Sequence, residues 1–248
     1  MTDGWLLAAV AGAFIVAGLV KGVTGLGLPA ISLALLTAVI GLPQAMALML
    51  VPSFVTNLWQ ASVGGHGRVI ARRIWPFLLM AVSTVWVGTL ALRLVDVRIL
   101  SGLLGVLIAT YASVNLLGFR AQVSPARERG VGIAVGAVNG VFTGMTGAFM
   151  FPGVMYLQAI GLPRDMLVQA MGMLFSLSTL ALAIALGAGG MLDMRMGGAS
   201  ALAVVPALAG VLAGQSIRHR LPEATFQRVF FATLLALGLY TLASALLR

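Results

Sequence analysis

The sequence predicts an all-α polytopic membrane protein made of two inverted-topology repeats, each a Gly-broken or re-entrant helix pair followed by three transmembrane helices. Three observations point there. Hydrophobic residues make up 60% of the 248 and charged residues only 8%, against about 25% charged in a soluble domain. Apolar stretches recur along the whole chain, many close to the roughly 20 residues a helix needs to cross a bilayer. Three sequence markers also return in the same order, at offsets of about 120 to 127 residues.

In order, the apolar segments are 5–20, 28–40, 43–63, 74–92 and 99–117, then 131–142, 147–160, 166–186, 199–216 and 226–247. Segments 28–40, 131–142 and 147–160 are short for a crossing. They are predicted as half-helices or members of re-entrant hairpins, which membranes tolerate only where they line a cavity or pack within protein. The start, Met1-Thr2-Asp3-Gly4, has no basic region, so the first apolar run is expected to stay in the mature chain.

The repeat markers are specific. Gly22-Val23-Thr24-Gly25 matches Gly144-Met145-Thr146-Gly147. Ile40-Gly41-Leu42-Pro43 returns as Ile160-Gly161-Leu162-Pro163. Gly88 with Arg93-Leu94-Val95-Asp96 parallels Gly214 with Arg220-Leu221-Pro222-Glu223. Short, Gly/Pro-interrupted segments at matching positions of two halves point to a transporter's binding site. The expected organisation is a single transmembrane transport domain over 1–248, with repeat 1 at about 5–117 and repeat 2 at about 131–247.

Arginines set the orientation. If each broken pair returns to its side of departure, by re-entry or by crossing twice, Arg68, Arg72, Arg73, Arg120, Arg127, Arg129, Arg164, Arg218, Arg220 and Arg228 share one side, and only Arg93, Arg98, Arg195 and Arg248 the other. A single crossing per pair gives a split of eight to six. The positive-inside bias selects the first arrangement, with both termini outside and the halves inverted. The net charge of +9 is thus a matter of loops facing anionic lipid, with no nucleic-acid partner expected.

Lys21 is the only lysine, and it interrupts an apolar stretch from Trp5 to about Ile40. All six acids lie at the N-terminus or in predicted connections, so no carboxylate stands at depth beside it. An ionisable group at membrane depth costs a few kcal/mol and marks a functional position; the plainer account is a lysine snorkelling to the interface. The glycines beside it favour the functional account.

A helix starting after a glycine break points N–H groups and partial positive charge at the break. Two inverted breaks could therefore enclose one small anion. The expected substrate-binding residues are Lys21, Gly22, Thr24, Gly25, Asn139, Thr143, Gly144, Thr146 and Gly147, with hydroxyl and amide donors to the anion's oxygens. Asn57 is added because Pro52 upstream could bend its helix toward the break. The competing account of Gly18, Gly22, Gly140 and Gly144 is close helix packing through small residues. Gln44, Ser53, Thr56, Gln60, Gln169, Ser176, Ser178 and Thr179 are polar groups that read mainly as helix glue.

Catalysis finds little support. There is no cysteine, both histidines (His66 and His219) sit in basic loops, and no segment has metal-ligand spacing. No catalytic residue, metal or cofactor is expected.

The run Lys21-Gly22-Val23-Thr24-Gly25-Leu26-Gly27-Leu28-Pro29 and its echo Asn139-Gly140-Val141-Phe142-Thr143-Gly144-Met145-Thr146-Gly147 resemble the TauE/SafE sulfite and sulfonate exporter family, as do the Gly-Leu-Pro after each and the Gly…Arg-Leu-Xaa-acid tails. The resemblance covers nearly the whole chain. It implies a bacterial inner-membrane permease exporting a small sulfite- or sulfonate-like anion. Ala148-Phe149-Met150-Phe151-Pro152 departs from the family's glycine-doubled pattern and would narrow the passage. Expected partners are the anionic substrate and membrane lipid, with a homodimer admitted. A lipid-phosphate carrier or flippase, and a non-transporting membrane assembly protein, are the alternatives.

Overall fold

The computed structural model describes residues 4–192, 194–218 and 223–247. Within them every regular element is an α-helix: α1 (Gly4–Thr24), α2 (Leu28–Ile40), α3 (Leu42–Ser62), α4 (Gly67–Ser83), α5 (Val85–Leu94), α6 (Val97–Leu116), α7 (Pro125–Thr146), α8 (Gly153–Ala159), α9 (Arg164–Ala188), α10 (Met194–Leu202), α11 (Val204–Arg218) and α12 (Glu223–Leu247). Six stretches among the described residues are long and apolar enough to cross a membrane: Gly4–Thr24, Gly67–Leu94, Val97–Leu116, Arg164–Ala188, Arg195–Ile217 and Phe226–Leu247. The predicted class, an all-α polytopic membrane protein, holds. Asp3, Asp193, His219, Arg248 and the Arg220-Leu221-Pro222 part of the third marker lie outside the described residues.

Two boundaries differ from expectation. Segment 131–142 is no half-helix: it lies inside the 22 residues of α7. Pro125 starts that helix and Glu128 sits in its first turn. Pro at the first position and an acid near the N-terminus both favour a helix start, whatever the local hydropathy. Likewise α1 runs on through Lys21 and Gly22 to Thr24, so the first break is only 25–27. The short elements are α2, with 13 residues, and α8, with 7.

The order of lengths repeats. A long helix, a short one, a long one, a divided one and a long one run α1, α2, α3, α4–α5, α6, and again α7, α8, α9, α10–α11, α12. Single residues, Thr84 and Ala203, divide the fourth member of each set.

The chain forms two compact units. Unit 1 is Met1–Pro52, Val97–Leu117 and Leu192–Arg248; unit 2 is Ser53–Asp96 and Gly118–Met191. In unit 1, α1 packs along α11, and α12 along α6 and α2. Lipid gives helices little hydrophobic reason to associate, so close approach through small residues takes over. A Cβ on Gly18 or Gly22 would overlap the carbonyl oxygen of Ala207 or Val211, and one on Gly210 or Gly214 that of Ile15 or Leu19. The α6–α12 crossing is also glycine-lined: a Cβ on Gly105 would lie 2.6 Å from the Leu242 nitrogen.

In unit 2, α7 packs along α4 and α5, with α9 against both and α8 against α7 and α9. The same device recurs. A Cβ on Gly144 would overlap the Val85 carbonyl oxygen, and one on Gly88 that of Val141. The recurrent glycines therefore meet crosswise. Gly22 of the first half meets Gly214 of the second, and Gly144 of the second meets Gly88 of the first.

Pro52 lies inside α3 and has no N–H, so the Leu48 carbonyl loses its usual donor. Ser200 of α10 repairs this: its Oγ donates to the Leu48 oxygen at 2.8 Å and accepts from the Val51 N–H at 3.0 Å. In apolar surroundings an unsatisfied backbone group is expensive, which is why a neighbouring serine accompanies a helix-interior proline.

The arginine-rich end of unit 2 is fastened by Arg73. Its Nε donates to Glu128 Oε1 at 2.8 Å, and its Nη2 donates to Glu128 Oε2 at 3.0 Å and to the Ile160 carbonyl at 2.8 Å. Tyr156 adds a bond to the Glu128 carbonyl at 3.1 Å. The starts of α4 and α7 and the end of α8 are thereby joined. Elsewhere large apolar side chains such as Trp59, Leu90 and Val205 are exposed on the helices, the surface that hydrocarbon would cover.

Candidate functional site

The two breaks have the same backbone geometry. Gly25 has φ of 75° and Gly147 of 74°. Each N–H bonds back to the carbonyl four residues earlier, Lys21 and Thr143 respectively, at 2.7 Å. These are left-handed caps that only glycine enters cheaply.

Thr24 and Thr146 belong to those caps. The Thr24 hydroxyl donates to the Val20 carbonyl at 2.9 Å and accepts from the Leu26 N–H at 3.0 Å. Thr146 does the same with Phe142 at 2.7 Å and Ala148 at 3.2 Å. Thr143 donates to the Asn139 carbonyl at 2.8 Å. The threonine hydroxyls, expected as donors to an anion, already spend their protons on backbone carbonyls. Gly22 and Gly144 lie one turn before the breaks and are accounted for by the helix crossings.

Two groups are different. Lys21 lies in the last turn of α1 with 6% exposure. It therefore stays buried in unit 1 on the face that carries Phe14 and Ala17, contrary to a side chain that reaches the surface. A cation there is favoured by the partial negative charge of the helix C-terminus. In unit 2, Asn139 is fully buried on α7. Its Oδ1 accepts the Gly153 N–H at 2.9 Å, so it caps the first turn of α8 across the break. That donor is therefore not available to a ligand, contrary to the expectation that the second break offers its helix N-terminus. Asn139 Nδ2 is buried with no hydrogen-bond partner.

Unit 2 holds further buried donors without partners, Ser176 Oγ and Ser178 Oγ of α9. Leu174 touches the Gly153–Asn139 contact, and Ser178 follows one helical turn later on that face. Buried unsatisfied polar groups are few in native proteins, and each calls for an occupant or a role. Asn57 is buried on α3. Gln60 and Gln169 are glue, as expected: Gln60 Nε2 donates to the Val168 carbonyl and Gln169 Nε2 to that of Ala61, both at 2.8 Å. Phe149 is fully buried after the second break, its ring 5.8 Å from that of Phe175. The structure thus groups Lys21, Gly22, Thr24 and Gly25 in unit 1, and Asn57, Asn139, Thr143, Gly144, Thr146 and Gly147 in unit 2.

Sequence reasoning missed the Asn139–Gly153 bond, which joins residues 14 apart and carries no local signature. It read Ser178 mainly as helix glue, whereas its Oγ is buried with no hydrogen-bond partner.

The family model for the sulfite exporter TauE/SafE matches residues 10–241. The chain belongs to the TauE/SafE family. The match spans both breaks and every candidate residue named above. No curated protein and no solved structure matches the chain. Membership makes this TauE/SafE chain a multi-pass membrane transporter of a family named for sulfite export. Its glycine-capped breaks fall inside the matched region, as do the buried Lys21 and the buried Asn139, whose Nδ2 has no hydrogen-bond partner.

Proposed function

We propose that this TauE/SafE member is a permease exporting a small oxyanion, sulfite or a compact sulfonate, across the bacterial inner membrane. The observation that carries the reading is Lys21, a buried cation at the end of α1 against a glycine-capped break. A charge at that depth is too costly to be incidental. One turn further back from the second break stands the Asn139 amide, whose Nδ2 is a buried donor with no hydrogen-bond partner. Both carry N–H donors, which suits an anion and not a cation.

Substrate size follows from Phe149, which stands where a smaller residue would leave more room and packs on Phe175. Sulfite should therefore leave loaded proteoliposomes faster than sulfoacetate. Retention of radiolabelled sulfite, sulfoacetate and sulfate alike, at the rate of protein-free vesicles, contradicts the permease reading.

The halves are taken as inverted, with both termini periplasmic. The repeated order of helix lengths and the crosswise glycine contacts support this, together with the clustering of arginine in loops 64–73 and 118–130. The chain has no native cysteine, so introduced ones report cleanly. Cysteines at 69 and 126 should label from the cytoplasm and one at 190 from outside; labelling of 69 and 190 from one side rules inversion out.

A further inference from the structure

Unit 1 contains a cavity of about 270 Å³ between the end of α2, the start of α6 and the last turns of α12. Its polar wall is Thr37, Arg98, Ser101, Tyr240, Thr241 and Ser244, and the other lining residues are apolar or glycine. Residues of the transport site proposed above do not line it. We propose that this cavity binds the phosphate headgroup of an anionic membrane phospholipid.

Position comes first. Val97–Leu116 begins, and Phe226–Leu247 ends, a membrane-length stretch at the cavity. The cavity therefore lies where a crossing helix meets the headgroup layer. Tyr240, Leu246 and Leu247 are exposed beside it, aromatic and apolar surface typical of that layer.

The chemistry fits an oxyanion. Arg98 is the second residue of α6, a helix of 20 residues with no acid in its first turn. Its guanidinium and the α6 N-terminal N–H groups bring positive charge to one wall. Thr37 supplies an independent sign of a missing occupant. It is 7% exposed, and its Oγ1 is buried with no hydrogen-bond partner. A hydroxyl left so in an apolar protein is unusual.

The source of the oxyanion follows from the remaining wall. A cavity built for a free anion would be polar throughout, whereas this one is otherwise apolar. That mixture suits an amphiphile whose phosphate meets Arg98 and whose glycerol and first methylenes meet the rest. The volume equals roughly nine waters at about 30 Å³ each, room for a phosphodiester with its glycerol.

Native mass spectrometry of the detergent-purified full chain tests this with three probes: phosphatidylglycerol, dioleoylglycerol and inorganic phosphate. Phosphatidylglycerol should bind the wild type, with affinity falling about tenfold or more in Arg98→Gln, the scale of one charge-assisted contact. Ser244→Phe should lower it similarly by filling the cavity, and it decides the matter if Arg98→Gln does not fold. Dioleoylglycerol and inorganic phosphate should each bind far more weakly. Wild-type phosphatidylglycerol affinity in both variants overturns the proposal. Equal binding of dioleoylglycerol reduces the cavity to an apolar groove and overturns it too. Arg98-dependent saturation by inorganic phosphate alone makes the site one for a free oxyanion, which overturns the lipid assignment.

Discussion

Lys21→Met should abolish anion flux, a loss of about 100-fold or more, while leaving expression and folding intact. Hydrogen bonds to charged groups are worth roughly 1.5–3 kcal/mol net, and each 1.4 kcal/mol is about tenfold. One lost contact to an oxyanion therefore accounts for a fall of that order, and the lost long-range attraction adds to it. Methionine keeps the length and the apolar stem of lysine, so packing on the Phe14–Ala17 face of α1 is preserved. Stability separates the explanations. A buried ammonium costs a few kcal/mol in a membrane, so its removal should leave the melting temperature unchanged or raised. A fall in melting temperature with unchanged residual flux per folded molecule would make Lys21 a structural residue. Lys21→Arg should retain part of the flux, since it keeps charge with a different donor geometry.

Gly22→Val and Gly144→Val should each destabilise the protein by about 3 kcal/mol or more, above the usual 1–3 kcal/mol of an overpacked core. In both crossings the added Cβ meets a backbone carbonyl, Val211 for Gly22 and Val85 for Gly144, which cannot rotate away as a side chain can. The helices must separate, and the cap three residues on moves with them. Gly12 is the internal control, on the same helix as Gly22 with nothing within 4 Å of its would-be Cβ; Gly12→Ala should hold or raise stability, by up to about 1 kcal/mol. Thermal unfolding in detergent, followed by tryptophan fluorescence, gives the comparison. Equal melting temperatures for Gly22→Val and Gly12→Ala would mean that α1 and α11 do not cross on their glycines.

Much of the fold was legible because hydrophobic length and repetition are local properties of sequence. The two glycine caps were found at Gly25 and Gly147, since a Thr-Gly pair ending an apolar run is a helix stop. What the sequence left open was the role of the residues before the stop. Gly22 and Gly144 look alike as ligand contacts and as crossing points, and the choice depends on which helix lies opposite. The crosswise partners Gly214 and Gly88 were noticed only as repeat markers. Thr24 and Thr146 looked like donors to a ligand, but a threonine near a helix end can return its hydroxyl to the i−4 carbonyl. The 131–142 segment was read as too short because the apolar run starts only after Gly130, while the helix begins at Pro125 with a polar first turn. Lys21 was legible outright, because one charge in a long apolar run needs no partner to be noticed.

Within the described membrane-length stretches the one carboxylate is Asp165, in the first turn of α9, at a helix end and not in an apolar interior, so those stretches offer no acidic proton relay at depth. The simplest transport cycle moves the anion alone. An inside-negative potential then drives it outward with about 2.3 kcal/mol per charge per 100 mV. The direct measurement is radiolabelled sulfite efflux from proteoliposomes under a valinomycin-imposed potassium potential, with pH held equal on both sides. Efflux of wild-type protein should accelerate when the interior is made negative and slow when it is made positive, and Lys21→Met should show neither response. Efflux that ignores voltage and follows an imposed pH gradient would contradict charge-driven export through this site.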